Sequence, residues 1–413
     1  MENQSSSRKL FITSCLALVV TSMTFAIRAE LVSIWGTAYK LSGEQLGLIA
    51  GTAFWGFTLA QIVAGPFVDA IGMKNVMHIA FIGHMIGIVV TIFSASFWPL
   101  YIGTLLIGIA NGSVEAASNP LVATIYPREK TKMLNRFHVW FPGGNVIGSV
   151  IAYMMIERLN LSWPWLMAVL ILPTLVYGFL VFTLTFPETE RVTSGVSYKE
   201  MLKACVSPLF IFMVICMLMT ASTELGTSQW ISLLLGQVGV SAILILAFIN
   251  GIMAFGRAFA GPVVHRFSPP GVLLMSSVFA FIGLMWLSFT QGYAAFAAAF
   301  VFAVGVCYFW PTMLGFVSEY IPKSGALGLN IMGGAGMLSV AFILPIMGSW
   351  YDDYKVKALK QGFATANAEL QAGRDTLQIV AIIPLILMVA FAFLYFRYRK
   401  RPKEELEVKL KSA

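Results

Sequence analysis

Apolar residues run along this chain in long blocks, each ended by glycine, proline or charge. A helix that crosses a bilayer needs about 20 predominantly apolar residues. The pattern predicts twelve of them, over 10–35, 45–64, 75–97, 99–126, 133–156, 164–186, 207–235, 239–262, 270–290, 293–318, 325–350 and 375–397. Ser42 and Gln45 carry the capping-box spacing that would start the second. The first block follows Arg8 and Lys9, as the apolar part of a secretory signal would. Its run of about 25 residues is longer than such a region, so it is read as a span.

Composition agrees. Of 413 residues, 58% are apolar and 11% charged, against roughly 25% charged in soluble domains. Twelve spans with short connections leave no room for a separate soluble domain. The net charge of +8 does not point to nucleic acid, because the 27 Lys and Arg sit at the ends of apolar blocks and between them. With the N-terminus inside, 20 fall on the inner side, six on the outer, and Arg28 lies within the first span. That bias places both termini in the cytoplasm of a multi-pass plasma-membrane protein, such as one of a bacterial inner membrane. Four of the six outer charges crowd into an expected polar loop, 351–374, beside Asp352 and Asp353.

The four cysteines, Cys15, Cys205, Cys216 and Cys307, lack metal-ligand spacing and read as small core hydrophobes. The chain has no phosphate-binding G-x-x-x-x-G-K-[ST] loop, no metal cluster and no convincing nucleophile–base pair. It is therefore expected to be no enzyme, to need no cofactor or metal, and to work as a monomer in the lipid bilayer.

The polar stretch from Pro187 to Val206 falls near the middle of the chain. It divides an N-terminal bundle, 1–186, from a C-terminal bundle, 207–397, with a tail at 398–413. An internal repeat supports the division: AGPFVDAIG at 64–72 is echoed by AGPVVHRFS at 260–268, IYP ending at Pro127 by YIP ending at Pro322, and Gly143-Gly144 by Gly333-Gly334. An all-α membrane protein of twelve helices in two six-helix halves, in parallel repeat, resembles the major facilitator superfamily. Gly65, Asp69, Gly72 and Lys74 are similar to that family's loop motif G-x-x-x-D-x-x-G-x-[KR]. The resemblance implies that Asp69 caps a helix and Lys74 meets the other half. The second copy has His265 and Arg266 where the first has Asp69 and Ala70, so a symmetric latch is not expected.

Three acidic residues, Glu30, Glu115 and Glu224, and one basic residue, Arg28, stand inside apolar blocks. An ionisable group at that depth costs at least about 2.5–3.5 kcal/mol and usually faces a wet cavity or a partner. Glu115 shares a helix face with Asn111 and Asn119 by spacing of four. A carboxyl group enclosed in a low dielectric is suited to taking up and releasing a proton, which makes Glu115 the leading proton carrier, with Glu30 and Glu224 behind it.

Glu115-Ala116-Ala117-Ser118-Asn119-Pro120 resembles the E-[TA]-A-[AS]-N-P string of fucose-type sugar:proton symporters, where the glutamate serves proton and sugar. Arg28 together with Glu115 resembles, less closely, the anion:cation symporters, which would give Arg28 a substrate carboxylate. Its alternative is an ion pair with Glu30 or Glu115. Asn111, Asn119, His138, Asn145, Glu224, Asn250, Gln229, Trp230 and Trp310 complete the expected ligand contacts, Trp310 facing Glu115 by the repeat offset. The sequence thus points to import of a small carbohydrate or sugar acid by proton symport through alternating access. Sodium-coupled uptake of an organic anion and drug or metabolite efflux remain the rivals.

Overall fold

The computed structural model describes residues 2–41, 43–228, 242–290 and 292–398, and among them it is almost wholly helical, with no strand. The N-terminal half holds α1 (Glu2–Tyr39), α2 (Gly43–Ile71), α3 (Met73–Ile92), α4 (Phe97–Ile125), α5 (Lys130–Ile156) and α6 (Trp163–Thr183). The C-terminal half holds α7 (Pro208–Gly226), α8 (Ala242–Ala258), α9 (269–289), α10 (Ala294–Tyr320), α11 (Gly325–Lys360) and α12 (Thr365–Tyr398). Eleven helical stretches among the described residues are long and apolar enough to cross a membrane. The expected eighth span is α8, of 17 residues. Ser42, the expected cap of α2, lies outside the described residues, as do Gln229 and Trp230.

The halves meet through reciprocal pairs of helices. Within its own half α5 packs on α1, and across the interface on α8; α11 packs on α7 and, across the interface, on α2. Close approach within a half is set by small residues: a Cβ at Gly108 or Gly112 of α4 would run into the Thr52 and Phe57 carbonyls of α2. The sequence repeat has a backbone counterpart. Each AGP copy is helical to its last residue, Gly72 or Ser268, which takes a positive φ (83° and 60°) before the next helix begins.

The expected polar loop at 351–374 is instead a helical hairpin. α11 runs 36 residues to Lys360, about 54 Å at 1.5 Å per residue and longer than the roughly 30 Å of hydrocarbon. The chain turns at Gln361–Ala364, with Gly362 at φ 88°, and re-enters as α12. Lys355 Nζ holds Glu369 Oε1 across the hairpin at 2.7 Å. Polarity marks where a span leaves lipid, but helix continues wherever the residues favour it, and DDYKVKALK contains neither glycine nor proline.

At the opposite end the linker folds into two short helices, Glu190–Thr193 and Tyr198–Cys205. The second opens with a full capping box, Ser197 Oγ accepting from the Glu200 N–H at 3.3 Å and Glu200 Oε2 from the Ser197 N–H at 3.0 Å. That pairing holds the exposed Glu200 carboxyl below its ordinary range. Here the halves are tied together. Lys130 Nζ pairs with Glu190 at 2.7 Å and reaches the Ser318 carbonyl at 3.4 Å, while Glu319 Oε1 accepts from Thr131 N and Oγ1 at 3.1 and 2.6 Å.

The loop motif lies beside this tie. Asp69 accepts from the Thr189 hydroxyl of the linker, and Lys74 donates to the Phe182 carbonyl at 3.2 Å, a group of its own half and not of the other. Gly65 is helical within α2. Gly72 has open space where a Cβ would stand, so its positive φ accounts for the residue type.

Candidate functional site

Three prolines within apolar helices prepare the site. A proline has no N–H, so the carbonyl four residues earlier loses its helical partner. Pro120, Pro142 and Pro311 release in this way the carbonyls of Ala116, His138 and Cys307. Each finds a side-chain donor from elsewhere: Asn330 Nδ2 reaches Ala116 O at 3.3 Å, Arg257 Nη1 reaches His138 O at 3.1 Å, and Arg257 Nε reaches Cys307 O at 2.6 Å. The third donor, Arg257 Nη2, pairs with Glu224 Oε1 at 2.8 Å. Arg257 is 1% exposed and so joins α8, α7 and α10 of one half to α5 of the other.

Glu224 sits in a π-helical turn, Ser222–Gly226, at the end of α7. Such single turns widen the helix locally and recur at functional positions. Across the interface Glu115 Oε2 accepts from Asn119 Nδ2 at 3.3 Å, and Asn119 Oδ1 meets His138 Nε2 at 3.0 Å. Because a carbonyl oxygen only accepts, His138 Nε2 is the donor in this bond. Glu115, His138, Glu224, Arg257 and Trp310 line one small pocket between the halves.

Two buried polar atoms there close no hydrogen bond, Glu224 Oε2 and the Trp310 indole N–H, although the indole lies toward Glu115 and the Trp310 backbone N–H toward Glu224. Buried polar atoms are ordinarily satisfied, so each exception asks for a reason.

The small pocket adjoins a larger one, since Phe141, Glu224, Leu225 and Met337 line both. The larger cavity has a volume of about 300 Å³. Its polar wall is Glu30, Asn145, Ser149, Glu224, Ser228 and Asn250, and its apolar wall includes Phe25, Phe54 and Phe141. The Phe25 ring stands edge-on to both other rings, at 5.9 and 5.8 Å. These residues occupy the parts of α1, α5 and α7 farther from the linker, so the cavity lies beyond the tied end.

Of the residues singled out in the sequence, Glu30, Asn145, Glu224 and Asn250 reach the large cavity, and Glu115, His138 and Trp310 the small one, with Asn119 between Glu115 and His138. Asn111 goes elsewhere. Its Nδ2 donates to Thr24 Oγ1 at 2.9 Å and its Oδ1 meets His84 Nε2 at 2.7 Å, while His84 Nδ1 meets the Tyr177 hydroxyl at 2.8 Å. The sequence shows no constellation around His84, yet it anchors a network across four helices of the N-terminal half.

Arg28 also turns away. It lines neither pocket and pairs with neither Glu30 nor Glu115; its guanidinium stands 4.9 Å from the Phe25 ring centroid. Arg257 lies close to the predicted end of its span, where an arginine reads as one of the inner-side positive charges. The signal that could have found it is the set of prolines, which leave carbonyls in want of a buried donor.

Comparison with known proteins sets this geometry in context. The family model described as Major Facilitator Superfamily matches residues 10–343. Among solved structures, the proton:xylose symporter XylE of Escherichia coli is 17% identical with a TM-score of 0.75, covering 99% of this chain and 100% of that one. The E. coli fucose:proton symporter FucP is 16% identical with a TM-score of 0.67, covering 92% and 99%. Among curated sequences, the E. coli class B tetracycline resistance protein is 23% identical over 81% of this chain and 90% of its own. Other curated alignments span about a third of the relative's length or less. The structural likenesses show the fold.

Proposed function

Since this chain belongs to the major facilitator superfamily, with a family match over residues 10–343, we propose that it is a secondary transporter importing a small carbohydrate with a proton by alternating access. The observation that carries the reading is the meeting of Glu115, His138, Glu224, Arg257 and Trp310, from both halves, around one pocket that adjoins a cavity of about 300 Å³. Asparagine, serine and carboxyl groups suit the mixed donors and acceptors of a polyol, and the phenyl wall suits the apolar face of a sugar ring. The E. coli neighbours named for xylose and fucose symport favour the same class.

In this mechanism Glu115 carries the proton, with Asn119 orienting its carboxylate and His138 fixing Asn119. Proton and substrate together neutralise the pocket and weaken the contacts that hold the halves in their present arrangement. Glu30 and Glu224 shape the cavity from opposite halves. The protein would sit in the bacterial inner membrane with both termini cytoplasmic, as its Lys and Arg distribution favours.

The test is the pH of a weakly buffered medium around right-side-out vesicles containing the protein. Addition of the substrate sugar is expected to alkalinise it. A second reading, export of an apolar compound, is favoured by the three phenyl rings of the wall and by the resistance-protein relative. It predicts no alkalinisation with any carbohydrate and proton entry driven by loading the vesicle interior with apolar drug.

A further inference from the structure

The charges around the cavity are distributed unevenly between the wall and what lies behind it. Two carboxyl groups, Glu30 and Glu224, line the large cavity and a third, Glu115, the pocket that adjoins it. Two buried guanidinium groups are close by, and neither stands in the lining of the large cavity. Arg257 commits Nε, Nη1 and Nη2 to Cys307 O, His138 O and Glu224 Oε1, all within 3.1 Å. Arg28 is absent from the lining and lies over Phe25, whose ring stands among the wall residues. The segment 229–246, which lies beyond the described side chains, contains no Lys or Arg that could supply a further cation. One oxygen of Glu224 is left buried and unpartnered where the two pockets join.

We propose that the cavity admits hydroxylated ligands that are neutral or carry a protonated amine, and rejects their carboxylate counterparts. A ligand carboxylate would enter a low-dielectric space whose wall offers it carboxyl oxygens, amides and hydroxyls and no guanidinium, so its lost hydration would go uncompensated. A hydroxyl or ammonium donor meets the opposite situation, because Glu224 Oε2 is an acceptor already desolvated and in want of a donor. Ring-bound amine and hydroxyl groups are thus interchangeable at this wall, and sugar acids are excluded. The inference narrows the carbohydrate reading given above. It rests on that reading for the ligand's hydroxyl groups, and on the wall alone for its charge.

The wall can be probed without knowing the substrate. Ser149→Cys and, separately, Ser228→Cys are placed in full-length protein in which Cys15, Cys205, Cys216 and Cys307, all buried, are replaced. Each is reacted with a cationic and an anionic methanethiosulfonate of similar size, every rate normalised to that of the same reagent with a free thiol. The cationic reagent is expected to react at least about tenfold faster, a preference that shrinks on adding Glu30→Gln. Equal rates, or a faster anionic reagent, would overturn the proposal.

On the unmodified protein, competition for uptake among a matched hexose, hexosamine and hexuronate gives the second readout. The first two are expected to compete and the third not to, and competition by the hexuronate equal to that of the hexose would also overturn the proposal. If no carbohydrate of any charge competes while the thiol preference persists, the charge selection stands and the carbohydrate reading falls.

Discussion

Among the buried polar networks of the described residues, two differ in one respect that separates structure from function. In the N-terminal half, Tyr177, His84, Asn111 and Thr24 form a chain in which every side chain finds a partner within 2.9 Å, and the Thr24 hydroxyl donates to the Thr21 carbonyl at 2.6 Å. At the interface between the halves, Glu115, Asn119, His138, Arg257 and Glu224 form a second chain. It ends in atoms that close no hydrogen bond, Glu224 Oε2 and the Trp310 indole N–H, and it borders a cavity. A closed network within one half fixes the packing of that half. An open network between halves is complete only with a ligand, a proton or a changed arrangement of the halves.

The largest expected effect breaks the open network at its one cation. Arg257→Met leaves Glu224 buried without its counter-charge and two proline-freed carbonyls without their donor. A loss of about 3–5 kcal/mol is expected, read as a lower melting temperature in detergent, with transport abolished. The double variant Arg257→Met, Glu224→Gln removes the stranded charge and should regain most of the stability and none of the coupled transport. A double variant no more stable than Arg257→Met would place the damage in lost packing.

The closed network should respond in the other sense. His84→Ala orphans Asn111 and Tyr177 at once, and a loss of about 1–3 kcal/mol is expected with transport per folded molecule unchanged. Impaired transport at full stability would show that this network, too, takes part in the cycle.

A smaller effect sharpens the contrast between ends of the molecule. Lys130→Ala removes the tie to Glu190, which is 31% exposed in its side chain, so only about 1 kcal/mol is expected. That is roughly a fivefold shift of population toward opening at the linker end. Distances between spin labels on the linker-side ends of the two halves should report it, and an unchanged distribution would remove Lys130 from the closure.

Much of this was legible in the sequence, for a reason specific to lipid. With no water to satisfy the backbone, every apolar block must be helix, so the number and order of spans follow from hydropathy. The AGP repeat at 64–72 and 260–268 could be read because its backbone role, a helix ended by a positive φ, is the same in both copies. Glu115 and Glu224 stood out because a carboxyl group in an apolar block is costly wherever it points.

What the sequence could not supply is direction. Asn111 and Asn119 share a helix face by spacing, yet the first turns to His84 and the second to His138, since which neighbour a buried amide meets depends on helices far away in the chain. Arg28 is conspicuous within its span and faces Phe25, whereas Arg257 is inconspicuous near the end of its span and ties the halves together. The hairpin at 351–374 is invisible to hydropathy, which measures lipid contact and is silent about helix that continues beyond the apolar block.

The central claim, that Glu115 carries the coupling proton at a site shared by both halves, is tested most directly in proteoliposomes holding purified wild-type protein or Glu115→Gln. Exchange of labelled sugar at equal concentration and equal pH on both sides needs the site but no proton movement, whereas uphill accumulation under an acid-outside gradient needs both. The account predicts that Glu115→Gln keeps exchange and loses accumulation. Accumulation equal to wild type in Glu115→Gln would contradict it.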